Sequence, residues 1–215
     1  MQQLTFRGLS IAFDNQVLEP RPWTQAQSAW AAELLKAAPA GPVLELCAGV
    51  GHIGLGAVRD LDRELVMVDI NPAAERFALA NAAANGLTSR VEFRRDRIDA
   101  ALGTDERFGL IVADPPWVPS ANTTMFPEDP LIAIDGGDDG LDLARTCVDL
   151  IDRHLSTGGS GLLQVGSTAQ AQTIADYAAE NLKVAETRVY ERGVLVHLVR
   201  ENPIAEPRAI SPADA

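Results

Sequence analysis

Cysteine is scarce in this chain, with Cys47 and Cys147 the two in 215 residues, which excludes a disulfide framework and a cysteine-built zinc centre. The three histidines, His52, His154 and His197, have no ligand-spaced partner, so no metal is expected. Basic residues are also few: 18 Lys and Arg against 30 Asp and Glu leave a formal charge of −12. Nucleic-acid affinity rests mainly on neutralising phosphates, so nucleic acid is not expected as a partner. One local cluster, Arg90, Arg94, Arg95 and Arg97, stays open as an RNA contact beside the plainer reading of solvated strand-end surface. No run approaches the roughly 20 apolar residues of a membrane span, and the N-terminus lacks signal-peptide character. A cytoplasmic address without membrane association is the default expectation.

What is present suits one α/β domain. Hydrophobic residues make up 47% at a mean hydropathy of zero, and 215 residues are enough for one substantial core. A hairpin (LTFR, SIAF), the extended VLEPRP and a helix over 24–38 form an N-terminal part, 1–40, of the same domain. Alternation then predicts strand 43–47, helix 51–60, strand 65–69, helix 72–85, strand 91–94 and strand 108–113 over a main body spanning 41–200. An irregular stretch follows to Gly140, then helix 141–155, strand 161–166, helix 168–181 and closing strands 183–190 and 194–200. The tail 201–215, rich in Pro and Ala, is expected to be disordered.

Two segments carry chemistry. In GLIVADPPWVP, 109–119, an apolar strand runs into Asp114, Pro115, Pro116 and Trp117. Each proline fixes its own φ and extends its predecessor, so an acidic acceptor and an aromatic plane are held rigidly, a clamp for a flat NH₂-bearing group. VLELCAGVGHIGLGA, 43–57, reads as strand, Gly-rich turn and helix start, and Asp69 ends the next strand at the spacing of a ribose-binding acid. Gly49, Gly51 and Gly54 spell the GxGxxG of dinucleotide sites. Glu45 argues against that reading, because a carboxylate at the strand end repels a pyrophosphate and attracts a cationic ligand. The plainer alternative is a strand-turn-helix whose glycines only permit packing. His52 reads as a first-turn helix residue.

The pattern Glu45, Cys47, Gly49, Gly51 resembles the acidic-x-Gly-x-Gly-x-Gly motif of class I S-adenosylmethionine (SAM)-dependent methyltransferases, with Cys47 standing where a glycine is usual. VLEPRPWTQ at 17–25 resembles VLIPRPETE of the HemK/PrmC glutamine methyltransferases, DPPWVP resembles their NPPYVP, and IDGGDDGLDL at 134–143 their Gly-Gly-acidic-Asp-Gly-Leu segment. The resemblance implies a Rossmann-like α/β fold, with seven mostly parallel strands, helices on both faces and a C-terminal antiparallel hairpin. It implies methyl transfer from SAM to a planar nitrogen, foremost a protein glutamine. By position, Glu45, Cys47, Gly49 and Gly51, with Ala48, hold the methionyl part; Asp69 and Ile70 the ribose; Asp96 and Arg97 the adenine; and Asp114 to Trp117 the acceptor nitrogen, with Trp117 stacked on it. Arg21, Trp23 and Thr24 line the acceptor entrance, Arg21 alternatively pairing with an acid of the long loop.

Three departures bear on the acceptor. Asp114 replaces Asn, Trp117 replaces Tyr, and Trp23 with Gln25 replaces acids. The family's helical N-terminal domain is expected to be missing, which makes a partner subunit a candidate source of acceptor recognition. Because Asp accepts hydrogen bonds only, and more strongly than Asn, small-molecule amines and adenine stay open as acceptors. A nicotinamide-dependent reductase and a non-catalytic SAM-binding subunit complete the alternatives.

Overall fold

In the computed structural model, residues 1–178 and 180–200 are described, so the expectation for the tail 201–215 lies outside the described residues. Strands β1 (Gln2–Phe6) and β2 (Leu9–Phe13) pair antiparallel across Arg7 and Gly8, both at positive φ as a two-residue hairpin turn requires. Then follow α1 (Thr24–Leu35), β3 (Val43–Leu46), α2 (His52–Val58), β4 (Leu65–Asp69), α3 (Pro72–Ala84), β5 (Val91–Arg95) and β6 (Phe108–Ala113). The remainder is α4 (Leu131–Ile134), α5 (Asp142–His154), β7 (Leu155–Val165), α6 (Thr168–Ala178), β8 (Leu182–Val189) and β9 (Val194–Arg200).

Seven strands form one sheet in the order β5-β4-β3-β6-β7-β9-β8, parallel from β5 to β7, with β9 antiparallel to both neighbours. The parallel strands β3 and β6 are buried along their whole length, as expected where helices cover both faces. The hairpin, α1, α2 and α3 pack on one face, and α5, α6 and Ile98 of the β5–β6 connection on the other. From β3 the chain steps outward to β4 and β5, then returns to β6 on β3's other side. This reversal is the switch point at which open α/β sheets bind ligands, and Leu46 and Ala113 are register partners there. Cys47 and Asp114 therefore leave the sheet side by side.

Some elements differ from their expected bounds. Helix α1 stops at Leu35 because Lys36 and Ala37 bond back three residues in tight turns, and α2 stops at Val58. Strand β7 begins at Leu155, six residues before the expected start: Leu155 pairs Phe108, then the register shifts so that Ser160 pairs Leu110, letting Ser156–Gly159 loop out. The stretch 120–140 is not structureless. It holds a 3₁₀ turn at Ser120–Met125, the short α4 and a bridge between Val118 and Asp135.

The hairpin is tied down by two asparagines, Asn81 of α3 and Asn85 at its C-terminal cap. Asn81 accepts from Ala12 N (2.8 Å) and donates to Ala12 O (3.1 Å), and Asn85 does the same for Ser10 N (3.0 Å) and O (2.9 Å). Each side-chain amide thus imitates a neighbouring strand and satisfies the β2 edge, whose free backbone groups would otherwise need water. Asn81, 1% exposed, also donates to Val50 O at 3.0 Å. Asn81→Ala leaves buried backbone groups unpaired and is expected to lower stability by about 2 kcal/mol. Denaturant midpoints should show a smaller loss for Asn85→Ala, which has part-buried strand bonds like those of Asn81 but lacks its buried bond to Val50 O.

Candidate active site

A cavity of about 240 Å³ opens at the switch point, walled by the carboxyl ends of β3, β4 and β6, the segment after β5, the stretch 17–24 and parts of the connector to α5. Cys47, Ala48, Gly49, Asp69, Ile70, Asp96, Arg97 and Asp114 line it, as do Arg21 and Thr24. Gly51, Glu45, Pro115, Trp117 and Trp23, also named from the sequence, do not.

The turn between β3 and α2 is strongly bent. Cys47 (φ +56°), Gly49 (+51°) and Gly51 (+76°) are all left-handed, so Cys47 occupies a conformation that glycine adopts without strain. Gly51 also has no room for a side chain, since a Cβ would stand 2.7 Å from Met67 Sδ. Asp69 Oδ2 accepts from Gly49 N at 2.8 Å, and its Oδ1 from Asn71 N at 2.9 Å. Burial raises the Asp69 carboxyl, and the backbone donors Asn71 and Gly49 pull it back.

Glu45 lies beneath this turn rather than facing a ligand. It is 2% exposed, its Oε1 accepts from Gly54 N at 3.0 Å, and its Oε2 has no partner. Burial pushes its carboxyl up to about 8, so the side chain is neutral at pH 7. The expectation of a carboxylate turned to a cation is corrected: strand alternation places Glu45 on the face covered by α2. Gly54 completes the GxGxxG match for packing reasons, because a Cβ there would meet Glu45 Oε2 at 2.4 Å.

On the other side of the cavity, Asp114 is half-buried. Burial raises its carboxyl to about 7, with the Gln164 side chain pulling the other way. Gln27 of α1, fully buried, donates to Ala113 O at 2.9 Å and fixes the peptide leading into Asp114. Pro116 contributes to the wall and Pro115 sits behind it. The Trp117 ring, expected to stack on an acceptor, packs against Gly166, where a Cβ would lie 2.4 Å from ring atom Cε3. Gln170 of α6 anchors the Trp117 carbonyl at 2.9 Å.

The entrance is cross-linked. Arg21 pairs with Asp129 of the connector at 2.5 Å, the ion-pair alternative read for this residue. Thr24 Oγ1 donates to Arg21 O (2.8 Å) and stands 3.1 Å from His52 Nε2. With its one hydrogen given to Arg21 O, Thr24 acts as acceptor, so His52 carries its proton on Nε2 and leaves Nδ1 bare and buried. Burial lowers His52 to about 3, and the ring packs edge-on against Phe6 at 4.8 Å. His52 lines the cavity, a place that sequence reasoning did not give it; its position directly after Gly51 was the available signal. Trp23 stands outside the cavity with Arg21 and Arg192 each 5.8 Å from its ring. The arginine cluster is occupied by partners: Arg94 with Glu92 and Glu106, Arg95 with Glu75, Arg97 with Asp99, and Arg90 with the carbonyl of Leu61.

The family model of the methyltransferase small domain matches residues 26–133, from α1 through the glycine turn and Asp114–Trp117 to α4. The chain belongs to this methyltransferase family. It is similar to the release factor glutamine methyltransferase of Gloeobacter violaceus, 32% identical over 82% of this chain and 63% of that one. It is also similar to the ribosomal protein uL3 glutamine methyltransferase of Bradyrhizobium diazoefficiens, 30% identical over 77% and 56%. The chain thus spans about three-fifths of the length of such relatives. The same fold occurs in the crystal structure of the ribosomal protein L11 methylase from Lactobacillus delbrueckii, with a TM-score of 0.66, 17% identity, and coverage of 89% and 86%.

Within this methyltransferase domain the buried acid makes a pH-dependent contribution to stability. Glu45 keeps its proton in the folded state up to about pH 8, whereas the unfolded chain releases it near 4.5, so stability falls as pH rises between those values and levels off above. Glu45→Gln cannot ionise. Its melting temperature relative to the wild type is expected to climb from pH 5 to pH 8 and then stay level; a constant difference across that range would contradict the neutral acid.

Proposed function

We propose that this protein transfers a methyl group from SAM to the side-chain amide nitrogen of a glutamine in a protein acceptor. The observation that carries the reading is Asp114, a hydrogen-bond acceptor with a raised carboxyl opening into the same cavity as the glycine turn. The cavity's charges suit this cofactor. Glu19, Asp69, Asp96, Asp99 and Asp114 line it, and its two guanidiniums, Arg21 and Arg97, are paired with Asp129 and Asp99. Such a wall attracts a sulfonium and an ammonium and repels a pyrophosphate. The Gly49 N–H, which a phosphate would need, is already given to Asp69.

In this reading Cys47, Ala48, Gly49 and Gly51 shape the methionyl side of the site, with Glu45 holding their turn from below. Asp69 and Ile70 serve the ribose, and Asp96 and Arg97 the adenine. SAM supplies an electrophilic methyl group. Asp114 accepts a hydrogen bond from the target NH₂, orients its lone pair and stabilises the positive charge that grows on nitrogen, with Pro115 packed behind the wall to hold it in place. The proton that nitrogen must lose then passes to the ionised Asp114 or to water. Trp117 and Pro116 stiffen the strand end that presents Asp114. Arg21 and Thr24 hold the entrance, with Trp23 outside it.

The glutamine acceptor is supported by the similarity to glutamine methyltransferases and by exposed apolar side chains on the connector, Met125, Leu131 and Ile132, each about 60% exposed, of which Ile132 lines the cavity. A nucleobase acceptor is disfavoured by the negative charge and the paired arginines. Calorimetric titration should show S-adenosylhomocysteine binding and no NAD binding. With methyl-labelled SAM and a cell lysate, label is expected in protease-sensitive material, on glutamine; label in nuclease-sensitive or small-molecule fractions would overturn the acceptor assignment. Asp114→Ala should lower transfer on the order of 100-fold while keeping S-adenosylhomocysteine affinity. The wild-type rate should rise through about pH 7 as Asp114 ionises, and Asp114→Asn should transfer methyl groups without that rise.

A further inference from the structure

The parallel register of β6 and β7 pairs Val112 with Leu162 and Ala113 with Leu163, so the next pair, just beyond the end of β6, is Asp114 and Gln164. Strand alternation puts both side chains on the face of Val112 and Leu162, under α1. Gln164 is 3% exposed, and the turn between β8 and β9 covers it: a Cβ on Gly193 would lie 3.6 Å from Gln164 Cγ and Cδ. A buried primary amide beside a carboxylate can satisfy its N–H only by donating to it or to backbone; the register sets the Gln164 amide next to the Asp114 carboxyl, whose raised value it pulls down as a donor.

We propose that Gln164 is a positioning residue that ties one oxygen of the Asp114 carboxylate and leaves the other free for the acceptor nitrogen. The assignment rests on the methyl-transfer reading above. The other titratable groups around Asp114 on the strands are Glu45 and Cys47 of the β3 end and Asp69 of the β4 end, and none of them is a cation. Off the strands, the cavity also carries Glu19, Asp96, Asp99, the neutral His52 and two arginines, Arg21 and Arg97, that are paired with Asp129 and Asp99, so among the described residues Gln164 is the neighbour that favours the ionised form. A carboxylate free to rotate about its Cβ–Cγ bond presents either oxygen in many directions. One tied at a single oxygen presents the second along a fixed line, which is what an NH₂ group held for in-line attack requires. Gln27 fixes the peptide ahead of Asp114 from α1, so backbone and side chain are held by different elements.

The test is Gln164→Leu, which keeps the bulk and removes the donor, with Gln164→Glu as a second variant of the same shape. Two readouts are taken: the titration of the Asp114 carboxyl by ¹³C NMR, assigned by its loss in Asp114→Asn, and the pH profile of transfer. In Gln164→Leu the Asp114 midpoint is expected to rise by about one pH unit. Transfer at pH 7 should fall more than about fivefold through kcat and recover only in part by pH 9, because the ionised carboxylate is no longer held along one line, with S-adenosylhomocysteine affinity unchanged. Gln164→Glu should move the upper titration step higher still, since two neighbouring carboxyls resist ionising together. An Asp114 midpoint unmoved in either folded variant overturns the proposal, as does a loss of transfer that stays constant across pH. If the titration shifts while the wild type labels no glutamine, the brace stands and the acceptor assignment fails.

Discussion

Two carboxyl groups hold the turn between β3 and α2, and the cavity exists because they do. Asp69 takes the Gly49 N–H from the side and Glu45 takes the Gly54 N–H from below. A backbone bent through three left-handed residues has few internal bonds of its own, so its donors are satisfied from neighbouring strands. The arrangement requires a buried acid that stays protonated, and burial is what raises it. It also decides what the turn can bind. With the Gly49 amide given to Asp69 and the Ala48 and Gly51 amides to backbone carbonyls, the loop offers shape and negative potential rather than an anion cradle.

The strands of the main sheet were legible because strands buried on both faces spell nearly unbroken apolar runs, as VLEL, LVMVD and FGLIVA do. The α3 boundaries were equally plain, with Asn71 capping Ala73 N, Pro72 behind it and Gly86 left-handed at the end. Harder to read was α4, four residues of LIAI whose helical form depends on tertiary contact rather than propensity. The site was legible as a set of positions and less so as a set of directions. Glu45 sits where expected along the strand but on the covered face. The Trp117 ring turns toward Gly166, a partner 49 residues away that no local pattern reveals. Cys47 in a glycine's place was visible as a departure; the left-handed backbone explains why glycine is usual there.

The rim of the cavity joins segments distant in sequence. Arg21 reaches Asp129, Thr24 reaches His52, and Trp23 lies between Arg21 and Arg192 of the β8–β9 turn. An ion pair at a surface contributes little by itself, but Asp129 is only 10% exposed and its arginine is flanked by two prolines, so screening is reduced and little backbone freedom is lost in forming it. The connector carrying the exposed Met125, Leu131 and Ile132 is thereby tied to the segment that precedes α1.

Asn81 bonds the β2 edge with two of its hydrogen bonds and the Val50 carbonyl of the glycine turn with a third. The first thirteen residues, which contribute no cavity-lining side chain, are thereby hydrogen-bonded to the ligand loop through one shared side chain, a link that hydrogen exchange would read. Local melting of the hairpin would release the Asn81 amide and loosen the turn at its far end. A bound cofactor should in turn slow amide exchange in β2, so that protection of a peripheral hairpin reports on occupancy of a pocket it never touches.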